Sequence, residues 1–327
     1  MAARVAIFYF AGRVMSQTDR AAQPSYVVLP RDVTDKATVL AFLIDHFSRI
    51  DADVWRERVA TGKVHWQNGE LIQADTPYRP TARVYYYREV PKETRIPFEE
   101  RILFQDEHSI LVFKPHFLPV TPSGNYVNEC LVHRLRRRTG IETIAPAHRL
   151  DRETAGVMLM STDPETRHAY HALFREGQIR KDYQALARLT PELQAGLATG
   201  ELSLPLHWTV KNRLIKGEPS FIMRLAEGEA NSHSEISLIA VNGDMGLFSL
   251  SPITGKTHQL RLHMQSLGMP LLNDRFYPEL QPRSEDNFNK PLKLMACRLR
   301  FIDPISGKSQ DVSVAGFEAD LARATEA

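Results

Sequence analysis

A charged turn that feeds an apolar run constrains this chain more than any other stretch. His148-Arg149-Leu150-Asp151-Arg152-Glu153-Thr154-Ala155-Gly156 leads straight into Val157-Met158-Leu159-Met160. Such a run, bounded by polar turn residues, reads as a buried strand with the turn at the mouth of its sheet. One aspartate sits between two arginines there. That placement suits a nucleophile, and from these residues alone it suits a structural ion pair equally well.

With 327 residues the chain has room for two domains, or for one large domain with an appendage. Charged residues at 24% and hydrophobic ones at 43% are those of an ordinary globular protein. A formal net charge of +2 does not by itself argue for a nucleic-acid partner, although a basic face can hide in such a sum. Cys130 and Cys297 supply neither a disulfide framework nor zinc-ligand spacing, which favours a reducing compartment. The apolar opening Val5-Ala6-Ile7-Phe8-Tyr9-Phe10 is short and soon meets Arg13. Neither a signal peptide nor a membrane helix is expected, and the chain reads as a cytoplasmic protein.

Residues 38–90 form a compact pattern. Leu40, Phe42, Leu43, Phe47 and Ile50 recur at helical spacing, and Asp51-Ala52-Asp53 offers caps for a second helix over 54–60. Gly62 ends it. Val64-His65-Trp66 and then Asn68-Gly69 read as strand and tight turn, with more strand material at Leu71-Ile72 and in 84–87. Arg56, Arg58 and Lys63 stand where such a unit could meet phosphates, or simply form a solvated helix face. Through Trp55, Arg58, Val59, Gly62, Val64, Asn68, Gly69 and Pro77 this unit resembles the S4-type RNA-binding domain. The Pro- and charge-rich stretch Pro91-Lys92-Glu93-Thr94-Arg95-Ile96-Pro97 reads as a linker, dividing the chain into residues 1–95 and 96–327.

Beyond the linker, strands are expected at Ile102-Leu103-Phe104 and in 110–113. A helix over 131–138 carries Arg134, Arg136, Arg137 and Arg138. Asp163-Pro164-Glu165 looks like a helix start with Pro at its first position, and that helix ends near Gly177. Strands are expected in 181–187, 236–241 and 247–251, with a Glu- and Pro-punctuated middle between the first two. Strands, turns and single helices in this order favour an α+β fold over a doubly wound sheet.

Three separated motifs carry the chemistry: His148-Arg149-Leu150-Asp151 with Thr154 and Gly156; Lys181-x-Tyr183; and Gly255-Lys256-Thr257-His258-Gln259-Leu260-Arg261-Leu262-His263, running on to Gly268-Met269-Pro270 and Asn273-Asp274-Arg275-Phe276-Tyr277. In this order they resemble the pseudouridine synthases of the RluA family, over most of residues 98–277. The S4-like unit is the usual appendage of that family. The resemblance implies a central mixed, largely antiparallel sheet flanked by helices, and a cofactor-free isomerisation of uridine to pseudouridine in structured ribosomal or transfer RNA. It makes Asp151 the catalytic carboxylate, Arg261 its paired arginine and Tyr183 the aromatic that packs on the target uracil. It makes Arg149 the residue that displaces or replaces the base and Leu262 a wall of the uracil pocket, with Lys181 and His258 beside the substrate. A forked arginine contact would fix the carboxylate and keep it ionised. The arginines at 134–138 and the S4-like unit would grip the RNA, and the enzyme would work as a monomer.

Other readings are weaker. Arg261 is spaced from Thr257, a plausible N-cap, so as to fall early in a helix. His258 and His263 lie five apart with no acidic or Cys partner at ligand spacing, which argues against zinc and for core packing of His263. Gly255-Lys256-Thr257 mimics the end of a P-loop, but position 250 is Leu250 rather than glycine. A two-carboxylate glycosidase would need a second acid that the motifs do not contain. A non-catalytic RNA-binding protein that kept the fold is opposed by intact Asp151, Tyr183 and Arg261. The chain departs from the family pattern around the motifs: Ala155 replaces a common serine and Lys256 a common arginine. Phe113-Lys114-Pro115 replaces Asp-Lys-Pro, His116-Phe117 a glycine-containing turn, and Asn273 and Pro278 two glycines.

Overall fold

The computed structural model describes residues 21, 23–33, 35–90, 93–282 and 284–323; the apolar opening at 5–10 and Pro91 and Lys92 of the linker lie outside them. The chain divides into two compact units. Met1–Thr94 with Pro122–Asn128 forms one, and Arg95–Thr121 with Glu129–Ala327 the other.

The smaller unit has strand β1 (Ser25–Val28), helices α1 (Val39–His46) and α2 (Ala52–Ala60), and strands β2 (Val64–Trp66) and β3 (Arg83–Tyr86). The strands pair antiparallel in the order β1-β3-β2. Thr38 caps α1 by accepting from the Ala41 N–H, and Asp51 caps α2 by accepting from the Asp53 N–H. Helix α1 stops at His46 rather than reaching Ile50, because a turn follows in which the Ile50 N–H bonds to the Phe47 carbonyl. Gly62 leaves α2 with φ +69, a turn that glycine makes without steric cost. Leu71 makes only an isolated bridge to His65, so the expected strand there does not form. The inner face of the sheet closes on the two helices around fully buried Trp55, with Leu43, Val64, Ile72 and Val84.

The larger unit continues with β4 (Arg101–Gln105), β5 (Ser109–Lys114), α3 (Leu131–Thr139), β6 (Ala145–Pro146), β7 (Ala155–Ser161), α4 (Arg167–Arg175), β8 (Arg180–Arg188), α5 (Pro191–Thr199), β9 (Leu206–Lys216), β10 (Met223–Ala226), β11 (Ser232–Asn242), β12 (Met245–Pro252), α6 (Gln259–Ser266), β13 (Leu294–Ile302), β14 (Ser309–Ser313) and α7 (Glu318–Arg323). Its 11-stranded sheet runs β10-β9-β11-β12-β8-β13-β7-β5-β4, with β14 against β13 and β6 against β7. Only β13 and β7 pair in parallel among the described residues. The expected α+β fold with a mixed, largely antiparallel sheet is what forms. Every residue of β7 is buried, as its unbroken apolar run requires.

Two layers cover the sheet on opposite sides of β7 and β8. Helix α6 packs Leu260 and Met264 against Ala185, Ile236, Phe248 and Leu250, while α4 packs Tyr170 and Leu173 against Leu111, Val157, Leu159 and Leu299. Helix α4 begins after Thr166, later than Asp163-Pro164 suggested. The Asp163 carboxylate accepts from the Glu165 N–H and faces His108, so these residues make a separate turn. Helix α5 fills part of the Glu- and Pro-punctuated middle. Its signals are ordinary: Thr190 accepting from the Leu193 N–H, Pro191 in the first turn and Gly200 at φ +78 after the last.

Candidate active site

Asp151 sits in the turn between β6 and β7, and that turn is pinned from several sides. Its carbonyl accepts from the Thr154 N–H at 3.1 Å. Fully buried Lys114, at the end of β5, donates to the carbonyls of Pro115 (2.9 Å), Leu118 (2.8 Å) and Arg152 (3.1 Å). Burial pulls its ammonium down to about 7. His116 Nδ1 lies 2.6 Å from the Glu153 carbonyl. His148, at the head of the motif, accepts the Leu159 N–H at Nε2 (3.1 Å) and stacks on Phe174 at 4.3 Å. Burial first, and then Lys181, push its pKa down to about 3, so the ring is neutral and serves as an acceptor. His148 therefore holds the turn.

The glycine that ends the motif has a steric reason. Gly156 lies opposite Ala296 across the parallel β7–β13 pair with φ +132. A Cβ there would fall 2.3 Å from the Ala296 carbonyl oxygen and 2.5 Å from its nitrogen. Only glycine lets β13 approach the strand that carries Asp151.

Helix α6 brings the partners. Its N-cap is His258 in the left-handed region at φ +55, so Thr257 is not the cap. His258 Nε2 stands 3.8 Å from Asp151 Oδ2, and its Nδ1 is 2.8 Å from the Tyr277 hydroxyl. That hydroxyl also accepts from the Met223 N–H at 2.9 Å. Burial lowers the His258 pKa against the pull of the Asp151 charge. Arg261, with 1% of its surface exposed, presents Nη1 to Asp151 Oδ2 at 3.7 Å. The forked contact expected between these two goes instead to Asp274, whose carboxylate accepts from Nε at 2.8 Å and from Nη2 at 2.5 Å. The same carboxylate accepts from the N–H groups of Phe276 (2.8 Å) and Tyr277 (3.2 Å). Nη1 is buried without a hydrogen-bond partner. Burial opposes the charge on Arg261, but the Asp274 fork and the neighbouring carboxylates outweigh it and raise the pKa. The guanidinium is thus a fixed cation with one donor edge turned to Asp151.

Tyr183, half-buried on β8, faces the same centre; burial first and then the Asp151 charge raise its pKa, so its phenol is neutral. Leu262 is buried with Leu214 and Tyr277, backing the Tyr277 ring. Lys181 is half-buried, and burial lowers its pKa. Arg149 is exposed beside Asp151, whereas Arg152 is engaged by Asp286 through a fork at 2.7 and 2.8 Å. His263 is fully buried, and its Nε2 lies 3.0 Å from the Ser232 hydroxyl. Among the described residues no group of three His, Cys, Asp or Glu side chains gathers to hold a metal.

Asp274 is the site residue that the motifs did not single out. Its signal was its place in the third motif, next to Asn273. Asn273, where the family resemblance leads one to expect glycine, takes φ +61, and Phe117, in a turn expected to contain glycine, takes φ +64.

The residues expected to grip RNA have protein partners in the structure. Arg58 is 6% exposed, lies over the Trp55 ring at 4.9 Å and faces Glu89 at 3.8 Å. Lys63 pairs with the same Glu89 at 2.6 Å, and exposed Arg56 with Asp53 at 2.6 Å. Arg134 is bound by Glu129, by Glu100 and by the carbonyls of Phe98 and Ile96. Arg136 bonds to the Ile144 carbonyl, and Arg138 to Glu100 and its carbonyl. Arg137 keeps the most exposed side chain of the four, at 57%. Arg134 and Arg138 staple α3 to the segment that enters β4, a role that a charge count cannot distinguish from phosphate binding.

Comparison with known proteins identifies the family. Residues 108–266 match the family described as RNA pseudouridylate synthase. Ribosomal large subunit pseudouridine synthase C of Haemophilus ducreyi is 31% identical over 225 residues, 67% of each chain. Ribosomal large subunit pseudouridine synthase D of Zymomonas mobilis is 29% identical over 305 residues, covering 86% of this chain and 88% of that one. The solved structure of human RNA pseudouridylate synthase domain containing 1 superposes with a TM-score of 0.54 at 20% identity, over 69% of this chain and 87% of that one, a likeness of fold. The chain belongs to the RluA-type branch of the RNA pseudouridylate synthase family. Its activity is that of an isomerase acting on RNA.

Proposed function

We propose that this isomerase converts uridines of structured ribosomal or transfer RNA to pseudouridine through Asp151. The reaction breaks the N1–C1′ glycosidic bond, turns the uracil and forms a C5–C1′ bond; the proton on C5 leaves and N1 regains one. No electrons are gained or lost, so a carboxylate, a fixed cation and a base-binding wall suffice. Asp151 is the reacting carboxylate. Arg261 presents Nη1 to it and holds its place against the charge that moves during cleavage. Neutral Tyr183 packs on the uracil, with its phenol proton at hand. Exposed Arg149 takes the place of the target base as it leaves its stack.

One observation carries this reading: a buried guanidinium, held on its other side by the Asp274 fork, leaves Nη1 without a hydrogen-bond partner 3.7 Å from Asp151 Oδ2. Domain roles follow, with residues 96–327 performing the chemistry and the S4-like unit adding RNA affinity. No helix among the described residues is long and apolar enough to cross a membrane. With both cysteines free and buried, we place the enzyme in the cytoplasm, working as a monomer.

Asp151→Asn tests the assignment, because it keeps size and shape and removes the charge. Pseudouridine formation on unmodified ribosomal and transfer RNA is expected to vanish while RNA affinity stays nearly unaltered. Turnover that persists in this variant would remove Asp151 from the reaction.

A further inference from the structure

The outward face of the small three-stranded sheet is aromatic. Strand alternation sends Val64, Trp66, Val84 and Tyr86 inward to the helices and Tyr26, His65 and Tyr85 outward. These three fall in one register row, since Tyr85 of the central strand β3 pairs with Tyr26 on one side and with His65 on the other. The His65 and Tyr85 rings stack 5.6 Å apart at 8°, and those of Tyr26 and Tyr85 lie 5.5 Å apart at 40°. The Tyr87 ring continues the series 5.9 Å from His65. Tyr26 is 55% exposed, and Val28 and Leu71 nearby are 47% and 49% exposed. The Arg83 guanidinium lies over the Tyr26 ring at 5.3 Å. Among the described residues, no protein group bonds to the hydroxyls of Tyr26 or Tyr85.

A solvated sheet face would carry threonines and charges here. A row of rings at the spacing of neighbouring strands, beside an unburied cation, matches successive bases of a single strand. We propose that this face, rather than the helix arginines, is where the N-terminal unit binds RNA, by stacking unpaired bases on Tyr26, Tyr85 and His65. The inference rests on RNA being the substrate and goes beyond it in naming the surface and the form of RNA recognised.

The test uses the full chain with a fluorescent single-stranded oligoadenylate and, for contrast, an RNA duplex. Tyr26→Ala and Tyr85→Ala should each weaken single-strand binding by roughly 5- to 150-fold. Tyr85→Phe should bind as the unaltered chain does. The salt dependence should keep its slope in all three, because stacking releases no counterions. In a thiouridine-containing oligonucleotide, photo-crosslinks should map to Tyr26, His65 or Tyr85 of the unaltered protein; this arm holds even if a variant folds poorly. Unchanged affinity in folded alanine variants, or crosslinks confined to residues beyond 95, would overturn the proposal. So would a dimer that dissociates on Tyr26→Ala with RNA binding intact, which would assign the face to a second copy. Pseudouridine formation by the same preparations reports on Asp151 separately, so either reading can fail while the other stands.

Discussion

At the scale of the residue, the site turns on a division of labour between two aspartates. Asp151 faces one edge of Arg261 at 3.7 Å, while Asp274 holds the other two nitrogens at 2.5 and 2.8 Å. Arg261 is thereby aimed at Asp151 without being neutralised, and under the proposed mechanism Asp274 is a positioning residue. Asp274→Asn keeps the volume but cannot accept both guanidinium bonds and both backbone N–H groups as a charged fork does. We expect single-turnover pseudouridine formation to fall by about 100-fold, since a misplacement near 1 Å costs that order, while RNA affinity moves little. Equal losses in affinity and turnover would mean that Asp274 shapes the binding surface instead. Family resemblance could place Asp151, Tyr183 and Arg261 one at a time. It could not show that the arginine has a second anchor 13 residues away, because that depends on how the chain returns after α6.

At the scale of the element, β7 and its turn explain why the opening motif is legible. A seven-residue apolar strand buried on both faces has one place in a mixed sheet, and Gly156 marks where its parallel neighbour comes closest. Gly156→Ala should destabilise the enzyme by roughly 2–5 kcal/mol, from overpacking against the Ala296 backbone together with a strained positive φ. Urea unfolding of the variant measures this, and a loss under about 1 kcal/mol would show that β13 yields freely. Other elements were less legible for identifiable reasons. Helix α5 buries only Gly196 fully, so its apolar stripe is weak although its Thr190 cap and Pro191 are plain. Strand β9 alternates a modest inner row, Trp208 and Val210, with Lys211 and Arg213 outside, which reads as loop when only longer apolar runs are sought. Thr257 looked like a cap, but the left-handed His258 takes that position, and no side-chain rule anticipates it.

At the scale of the whole molecule, three histidines withdrawn from solvent, His263 fully and His116 and His148 in part, shape how stability responds to acid. Burial is the leading cause in each case: His148 is pushed down to about 3, His116 to about 4 and His263 to about 4. Each ring is committed as neutral, with His148 accepting from the Leu159 N–H and His263 beside the Ser232 hydroxyl. In the unfolded chain these groups titrate near 6.5, so below that pH the unfolded state binds protons that the folded state refuses. Their contribution is complete above about 6.5 and is lost as pH falls toward 4, at about 1.4 kcal/mol per pH unit for each histidine. Lys114, drawn down to about 7 by burial, has the same sign in a higher window: between about 7 and 10.5 the unfolded lysine keeps a proton that the folded one has released, so stability rises with pH. Unfolding free energy measured by denaturant titration should therefore rise from pH 4 to 6.5 and continue upward, less steeply, through mildly alkaline pH. His263→Gln should reduce the acid-side slope by one proton's worth while leaving the alkaline rise in place. A stability maximum near pH 5 that falls on both sides would contradict buried neutral imidazoles, and with them the hydrogen bond by which His148 holds the Asp151 turn.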